Sequence, residues 1–348
     1  MITKRVYINA AQPDEAVLAE AASLLRQGEL VAFPTETVYG LGANALDGAA
    51  CAKIFEVKGR PQDNPLIVHV ADLNAAQSLT AAWPESAEQC ARAFWPGPLT
   101  LVLPKNPEIP DEVTAGLNTV GIRMPSHPVA LALLRKAGIP VAAPSANLSG
   151  KPSPTSGSHV WQDLQGAIPL ILDAGTSSVG LESTVLDLSG SVPTVLRPGG
   201  ISLEQLRDVL GEVRLDKPSA VETPKAPGMK YRHYAPRGEM LLIQGQREKV
   251  LAHMEEEIAK AHRRFKKVGI LCTLESAPVL HQLLPDLLFV LGSADSPQEV
   301  AKNLFEGLRL CDSRNMDVIL AEAVDEGGIG LAIMNRLEKA AGHHLIRV

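Results

Sequence analysis

Aromatic residues are scarce in this sequence. Phe, Tyr and Trp make up 4% of 348 residues, which gives weight to the few that stand beside charged loops. Cysteine is scarcer still. Cys51, Cys90, Cys272 and Cys311 lie far apart with no CxxC spacing, a pattern of free thiols in a reducing compartment rather than of disulfides or zinc ligands. No hydrophobic run approaches membrane-spanning length, and the opening Met1-Ile-Thr-Lys-Arg-Val-Tyr7 has no apolar signal core, so a cytoplasmic protein without membrane contact is expected. Basic charge is not in excess: the net charge of −6 argues against nucleic-acid binding along the whole chain, although a local basic pocket stays open. Also missing are a complete phosphate loop around Gly150-Lys151, a full dinucleotide fingerprint around Gly327-Gly-Ile-Gly330, and metal-ligand spacing around His343-His344.

What is present is organised around Lys58-Gly-Arg-Pro-Gln-Asp-Asn-Pro-Leu66. Residues 49–57 have helical character, with Asp47 placed as N-cap and Gly59 as C-cap, and Pro61 blocks continuation. Lys58 and Arg60 therefore leave a helix end on a constrained loop. Such a pair suits a polyphosphate or two converging carboxylates, or is simply a solvated basic turn. Upstream, a helix over 14–27 leads to a strand at Leu30-Val-Ala-Phe33 and a strand exit, Thr35-Glu-Thr-Val-Tyr-Gly-Leu-Gly42, rich in hydroxyls and glycine. Downstream, strands are expected at 66–70, 99–103, 120–124, 170–172, 183–187 and 194–197. His69 sits in an apolar alternation and reads on its own as a core residue. Arg123 in an apolar strand needs a partner, either an internal carboxylate or one on a ligand. Ser145-Ala-Asn-Leu-Ser-Gly150 is a polar loop at a strand end, and Ser202-Leu-Glu-Gln205 is a capping box opening a helix to Leu210.

These signals give an α/β protein of two domains. The first, 1–210, carries a mixed sheet with helices. Prolines 218, 224, 227 and 236 mark 211–238 as a linker, and its Lys230-Tyr-Arg-His-Tyr234 reads either as a basic aromatic patch or as a strap over a nucleotide site. From 239 to 348, strands and helices alternate in the manner of a smaller Rossmann-like parallel domain.

Seven motifs in order resemble one family: Pro34-Thr-Glu-Thr-Val-Tyr-Gly40, Lys58-Gly-Arg-Pro61, Trp95-Pro-Gly-Pro98, Pro144-Ser-Ala-Asn147, Ser183-Thr-Val185, Leu196-Arg-Pro-Gly199 and His233-Tyr-Ala-Pro236. Each is weak alone, but the ordered set over almost the whole chain is specific. It resembles the two-domain threonylcarbamoyl-AMP synthases. The resemblance implies a twisted catalytic sheet, a Rossmann-like second domain and a nucleotidyltransferase reaction. L-threonine, bicarbonate and ATP, with Mg2+, would give threonylcarbamoyl-AMP and pyrophosphate. Downstream transfer proteins would carry the group to tRNA beside the anticodon, with at most a weak tRNA contact by this chain.

The resemblance assigns Lys58 and Arg60 to the phosphates and the reacting carboxylate, and places Asn64 beside the nucleotide. Thr119, Ser145, Ser153 and Arg197 would contact ATP, Asn147 lies close by, and Tyr234 would reach the nucleotide from the linker. Thr37, His69, Arg123, Ala143 and Ser183 would hold threonine, with Arg123 on its carboxylate and Ala143 acting through its backbone. Thr35 is a neighbour. The chemistry suits such residues, because an N-carboxylate must attack an anionic α-phosphate and fixed cations lower that repulsion without any serine, cysteine or histidine nucleophile. Two rivals stand beside this reading: an RNA-binding module without catalysis, which the acidic balance weakens, and a carbamoyl-transfer enzyme of the hydrogenase-maturation type, which needs further modules that this sequence lacks.

Overall fold

The computed structural model describes residues 1–216 and 234–348. Two compact units divide the chain. The first is built on an eleven-stranded sheet: β1 (Lys4–Tyr7), β2 (Val31–Phe33), β3 (Gly40–Asn44), β4 (Ile67–His69), β5 (Leu99–Pro104), β6 (Thr119–Arg123), β7 (Val141–Ala142), β8 (Leu170–Asp173), β9 (Thr184–Asp187), β10 (Thr194–Arg197) and β11 (Arg214–Leu215). Their spatial order is β1-β8-β2-β3-β7-β4-β6-β5-β9-β10-β11. Parallel and antiparallel pairs mix, as in β4 beside β6 (parallel) and β6 beside β5 (antiparallel).

Local chemistry explains where the elements start and stop. Asp14 caps the helix Glu15–Arg26 by accepting from the Ala16 and Val17 amides. Asp47 accepts from Ala50 at the start of Gly48–Lys58, and Gly59 ends that helix at φ 59°, a left-handed conformation that suits glycine. The helix Pro128–Ala137 begins on proline and ends on Gly138 in the same conformation.

The strand alternation sorts side chains onto two faces. Ala32, Leu41, Ala43, Val68, Leu101, Ile122, Ala142 and Leu186 point to one face and form the larger core with Ile54, Phe55 and Trp95. On the opposite face, near β8, β2 and β7, the residues Val31, Phe33, Val141, Ala143, Leu170 and Leu172 pack under the helices Glu15–Arg26 and Pro128–Ala137. Phe33 is fully buried there, an anchor of about 1.5–3 kcal/mol. Gly42 makes room for it: a Cβ at that position would come 2.9 Å from the Phe33 ring and 2.8 Å from Val141. This close approach turns the glycine-rich stretch, which reads as a strand exit, into strand β3.

Among the described residues the second unit comprises 234–348 with two short pieces of the earlier chain, 150–152 and 179–181. Its sheet holds β12 (Glu239–Gln244), β13 (Val268–Thr273), β14 (Leu287–Gly292), β15 (Val318–Glu322) and β16 (Leu345–Arg347), all parallel. The order β14-β13-β15-β12-β16 inserts β15 between β13 and β12. The layered parallel α/β build expected from the alternation is present, in a different strand order from the 3-2-1-4-5-6 arrangement of the dinucleotide-binding fold. Among the described residues no helix is long and apolar enough to cross a membrane.

Candidate active site

The face that is apolar over β8, β2 and β7 changes character over the next strands. Register places Val141, His69 and Arg123 side by side across β7, β4 and β6. Ile67, Gly121 and Val102 form the adjoining row, and Thr100 lies beside Val185, which in turn faces Arg197. Period-two alternation puts Thr119, Gly121 and Arg123 on the same side of β6. The result is a floor of hydroxyls, glycine, histidine and arginine. A shallow hollow lies on it, lined by Pro65, Ile67, Thr100, Thr119, Gly121 and Val185 among others. Gly121 keeps this floor low, since an added Cβ would meet Thr100 at 3.3 Å.

Arg123 answers the question its position raises. It is 4% exposed and its Nη2 lies 2.6 Å from Oε1 of Glu36, an internal carboxylate. Nη1 donates to Thr37 Oγ1 at 2.8 Å, and Nε donates to the Gly97 carbonyl at 3.3 Å. Burial pushes the Glu36 carboxyl upward, but the Arg123 guanidinium outweighs it and holds the group below its ordinary value. Thr37 Oγ1 also meets Thr35 Oγ1 at 2.8 Å, and Thr35 in turn donates to the Val38 carbonyl at 2.6 Å. His69 lies edge-on to Phe33 at 5.9 Å, with Nδ1 3.1 Å from the Ile67 carbonyl. Burial, then the nearby Arg123, pulls its pKa down to about 3, so the ring is neutral at physiological pH. Ala143 uses its N–H on the Ile67 carbonyl, which leaves its own C=O as the group able to meet a ligand.

Ser183 and Arg197 form the next part of the floor. The Ser183 hydroxyl is 2.8 Å from Thr100 Oγ1, and its carbonyl accepts from Arg197 Nη2 at 2.9 Å and Nε at 3.2 Å. Ser153 is buried and donates to Glu182 Oε1 at 2.5 Å. Thr119 opens β6 at the edge of the hollow.

Lys58, the last residue of its helix, is 3% exposed. Its ammonium donates to the carbonyls of Ser145, at 2.5 Å, and of Asn147. Those carbonyls belong to a loop tied to the hydroxyl-rich stretch: Gly40 bridges to Ser145, and the Ala146 amide donates to the Tyr39 carbonyl at 2.8 Å. Ser145 Oγ also donates to Asn147 Oδ1 at 2.5 Å. Arg60 Nη2 donates to the Asn64 and Pro65 carbonyls, both at 3.1 Å, and Pro65 borders the hollow. Asn64 is 2% exposed, and its Oδ1 has no hydrogen-bond partner among the described residues.

In the second unit, Tyr234 is buried at φ 63° with its ring 5.2 Å from that of Phe305 and the Arg336 guanidinium 5.6 Å away. His233 and the adjacent Lys230, Tyr231 and Arg232 lie outside the described residues. Among the described residues no group of three or more His, Cys, Asp or Glu is gathered to hold a metal ion.

Sequence reasoning did not find Glu36, Thr100 or Glu182. For Glu36 a signal was available: it stands between the two threonines of Thr35-Glu-Thr37, and a strand arginine needs a carboxylate. Thr100 and Glu182 carry no comparable signal.

Fold and floor together make an α/β protein with hydroxyl, histidine and arginine side chains gathered on one face of a mixed sheet. Residues 23–199 match the family described as Telomere recombination, and residues 201–342 match the one described as Threonylcarbamoyl-AMP synthase, C-terminal domain. A threonylcarbamoyl-AMP synthase from Pyrococcus abyssi is 52% identical over 94% of this chain and 95% of its own. One from Bacillus subtilis is 48% identical over all of both chains. A solved structure, P. abyssi Sua5 complexed with L-threonine, superposes with a TM-score of 0.94 at 50% identity, covering 99% of this chain and all of that one. The chain belongs to the threonylcarbamoyl-AMP synthase family.

Proposed function

We propose that this enzyme makes L-threonylcarbamoyl-AMP and pyrophosphate from L-threonine, bicarbonate and ATP. The threonine amine adds to the carbon of carbon dioxide drawn from bicarbonate, giving an N-carboxylate. A carboxylate oxygen then attacks the α-phosphorus, the bond to the bridging oxygen breaks, and pyrophosphate departs. The observation that carries the reading is the polar floor, where Arg123, Thr37 and His69 adjoin a hollow bordered by Thr119 and Gly121.

The cluster of Thr37, His69, Arg123 and Ser183 with the Ala143 carbonyl suits an amino acid. Arg123 offers donors to the carboxylate, and neutral His69 adds polarity without charge. Lys58 and Arg60 suit the triphosphate and the reacting N-carboxylate, where preorganised donors lower repulsion between two anions. Thr119, Ser145, Ser153 and Arg197 would complete the nucleotide contacts, and the Oδ1 of Asn64, which has no hydrogen-bond partner among the described residues, would accept from a nucleotide donor. The assignment of Tyr234 to the nucleotide draws its support from the motif alone. Magnesium would be held chiefly by the ATP phosphates, where such an ion needs only one or two protein carboxylates and neutralises charge on the leaving group.

The product would pass to proteins that transfer the threonylcarbamoyl group to tRNA, with any tRNA contact by this chain weak. A cytoplasmic setting suits four free, buried cysteines. The test is pyrophosphate release that requires both threonine and bicarbonate. Release with ATP alone, or salt-sensitive RNA affinity without turnover, would overturn the proposal.

A further inference from the structure

Glu36 has no role in the assignments above, yet it lies within the amino-acid half of the floor. Its side chain is 7% exposed and 2.6 Å from Arg123 Nη2. Thr37 and the Gly97 carbonyl engage Nη1 and Nε of the same guanidinium. A guanidinium is a rigid planar fork, so these two hydrogen bonds hold its plane while the Glu36 carboxylate lies against its remaining nitrogen as an ion pair. Stability alone is a poor reason for such a pair, because desolvation of two buried ions roughly cancels their attraction.

Charge gives a better reason. An arginine neutralised in place still presents N–H donors to a single carboxylate. It attracts a multiply charged phosphate far less than a bare cation would. Threonine is a zwitterion with no net charge, whereas ATP and pyrophosphate are polyanions. We propose that Glu36 is a positioning residue that sets the Arg123 guanidinium for the threonine carboxylate and, by cancelling its charge, keeps phosphate groups out of the amino-acid pocket. This rests on the function proposed above.

The test is calorimetric titration of the full chain with L-threonine, and with threonine in the presence of inorganic pyrophosphate, for the natural protein, Glu36→Gln and Glu36→Asp. Glu36→Gln should weaken threonine roughly tenfold or more, the scale of a disturbed charge-assisted hydrogen bond. It should also let pyrophosphate displace threonine, whereas the natural protein should resist that displacement. Glu36→Asp keeps the negative charge, so it should exclude pyrophosphate while binding threonine less well. Unchanged threonine affinity in Glu36→Gln, or no gain in displacement by pyrophosphate, would overturn the inference. If Glu36→Gln does not fold, Glu36→Asp decides: displacement of its threonine by pyrophosphate overturns the inference, and exclusion supports it. A natural protein that binds no threonine would overturn the functional reading and this inference together. Threonine binding that is indifferent to Glu36 would overturn the inference alone.

Discussion

Replacing Lys58 by methionine keeps the apolar stem and removes the ammonium. In the folded protein that ammonium donates to two carbonyls, those of Ser145 and Asn147, on the loop that Tyr39 and Gly40 brace. Two consequences follow, and their sizes differ. Leaving buried carbonyl acceptors without this donor should cost roughly 1–3 kcal/mol of stability. Loss of one preorganised charge from the reacting phosphate should cost about 10²–10³ in turnover. Most of the stability of a typical domain, about 5–15 kcal/mol, survives the first loss, so the variant should be folded and nearly inactive. Circular dichroism melts measure the first effect, and threonine-dependent pyrophosphate release at saturating ATP measures the second. Turnover within a few-fold of the natural protein, with the melt lowered as expected, would refute the catalytic role and leave Lys58 a structural residue.

Three further outcomes are expected. Gly121→Val should push methyl groups into the hollow from a point 3.3 Å from Thr100, raising the KM for ATP well above tenfold while costing about 1–3 kcal/mol of stability. His69→Gln should flatten the acid side of the stability curve: the unfolded imidazole takes up a proton below its ordinary 6.5 and the folded one only near 3, so the natural protein loses stability as pH falls through that window. Urea midpoints of the two proteins at pH 7.5 and 4.5 check this, and equal pH dependence would contradict it. The four buried thiols, which burial pushes up to about 12, should be inert to a thiol reagent in the native protein and all reactive in denaturant.

Much of the local architecture was legible because single residues carry it. Asp47, Gly59 and Pro61 bracket the helix that delivers Lys58, and the Ser202/Gln205 capping box forms as its spacing requires. Strand β3 was harder to read, because Gly40-Leu-Gly-Ala-Asn44 has turn composition; those glycines serve the Phe33 ring packed across them, a contact no local pattern reports. β1 pairs with β8 some 165 residues away, and its short polar sequence, Lys4-Arg-Val-Tyr7, gives no alternation strong enough to mark it. In the second unit, alternation gives parallel strands but not the position of β15 between β13 and β12.

The site divides in the same way. Arg123 was conspicuous because a charge in an apolar strand demands a partner. Nothing in periodicity tells which of 39 carboxylates supplies it, and Glu36 meets it from the segment between β2 and β3, far from β6 in sequence. His69 reads locally as a core residue, and its burial and low pKa fit that reading as well as they fit a neutral group at the edge of an amino-acid pocket. What distinguishes the two is its neighbour across the ladder, Arg123.

The most direct test of the central claim is mass spectrometry of the product formed from carbon-13 bicarbonate, L-threonine and ATP. The account predicts one adduct of threonine and AMP that carries the labelled carbon, formed in step with pyrophosphate and lost in Lys58→Met. ATP consumed without that adduct, or an adduct without the label, would contradict it.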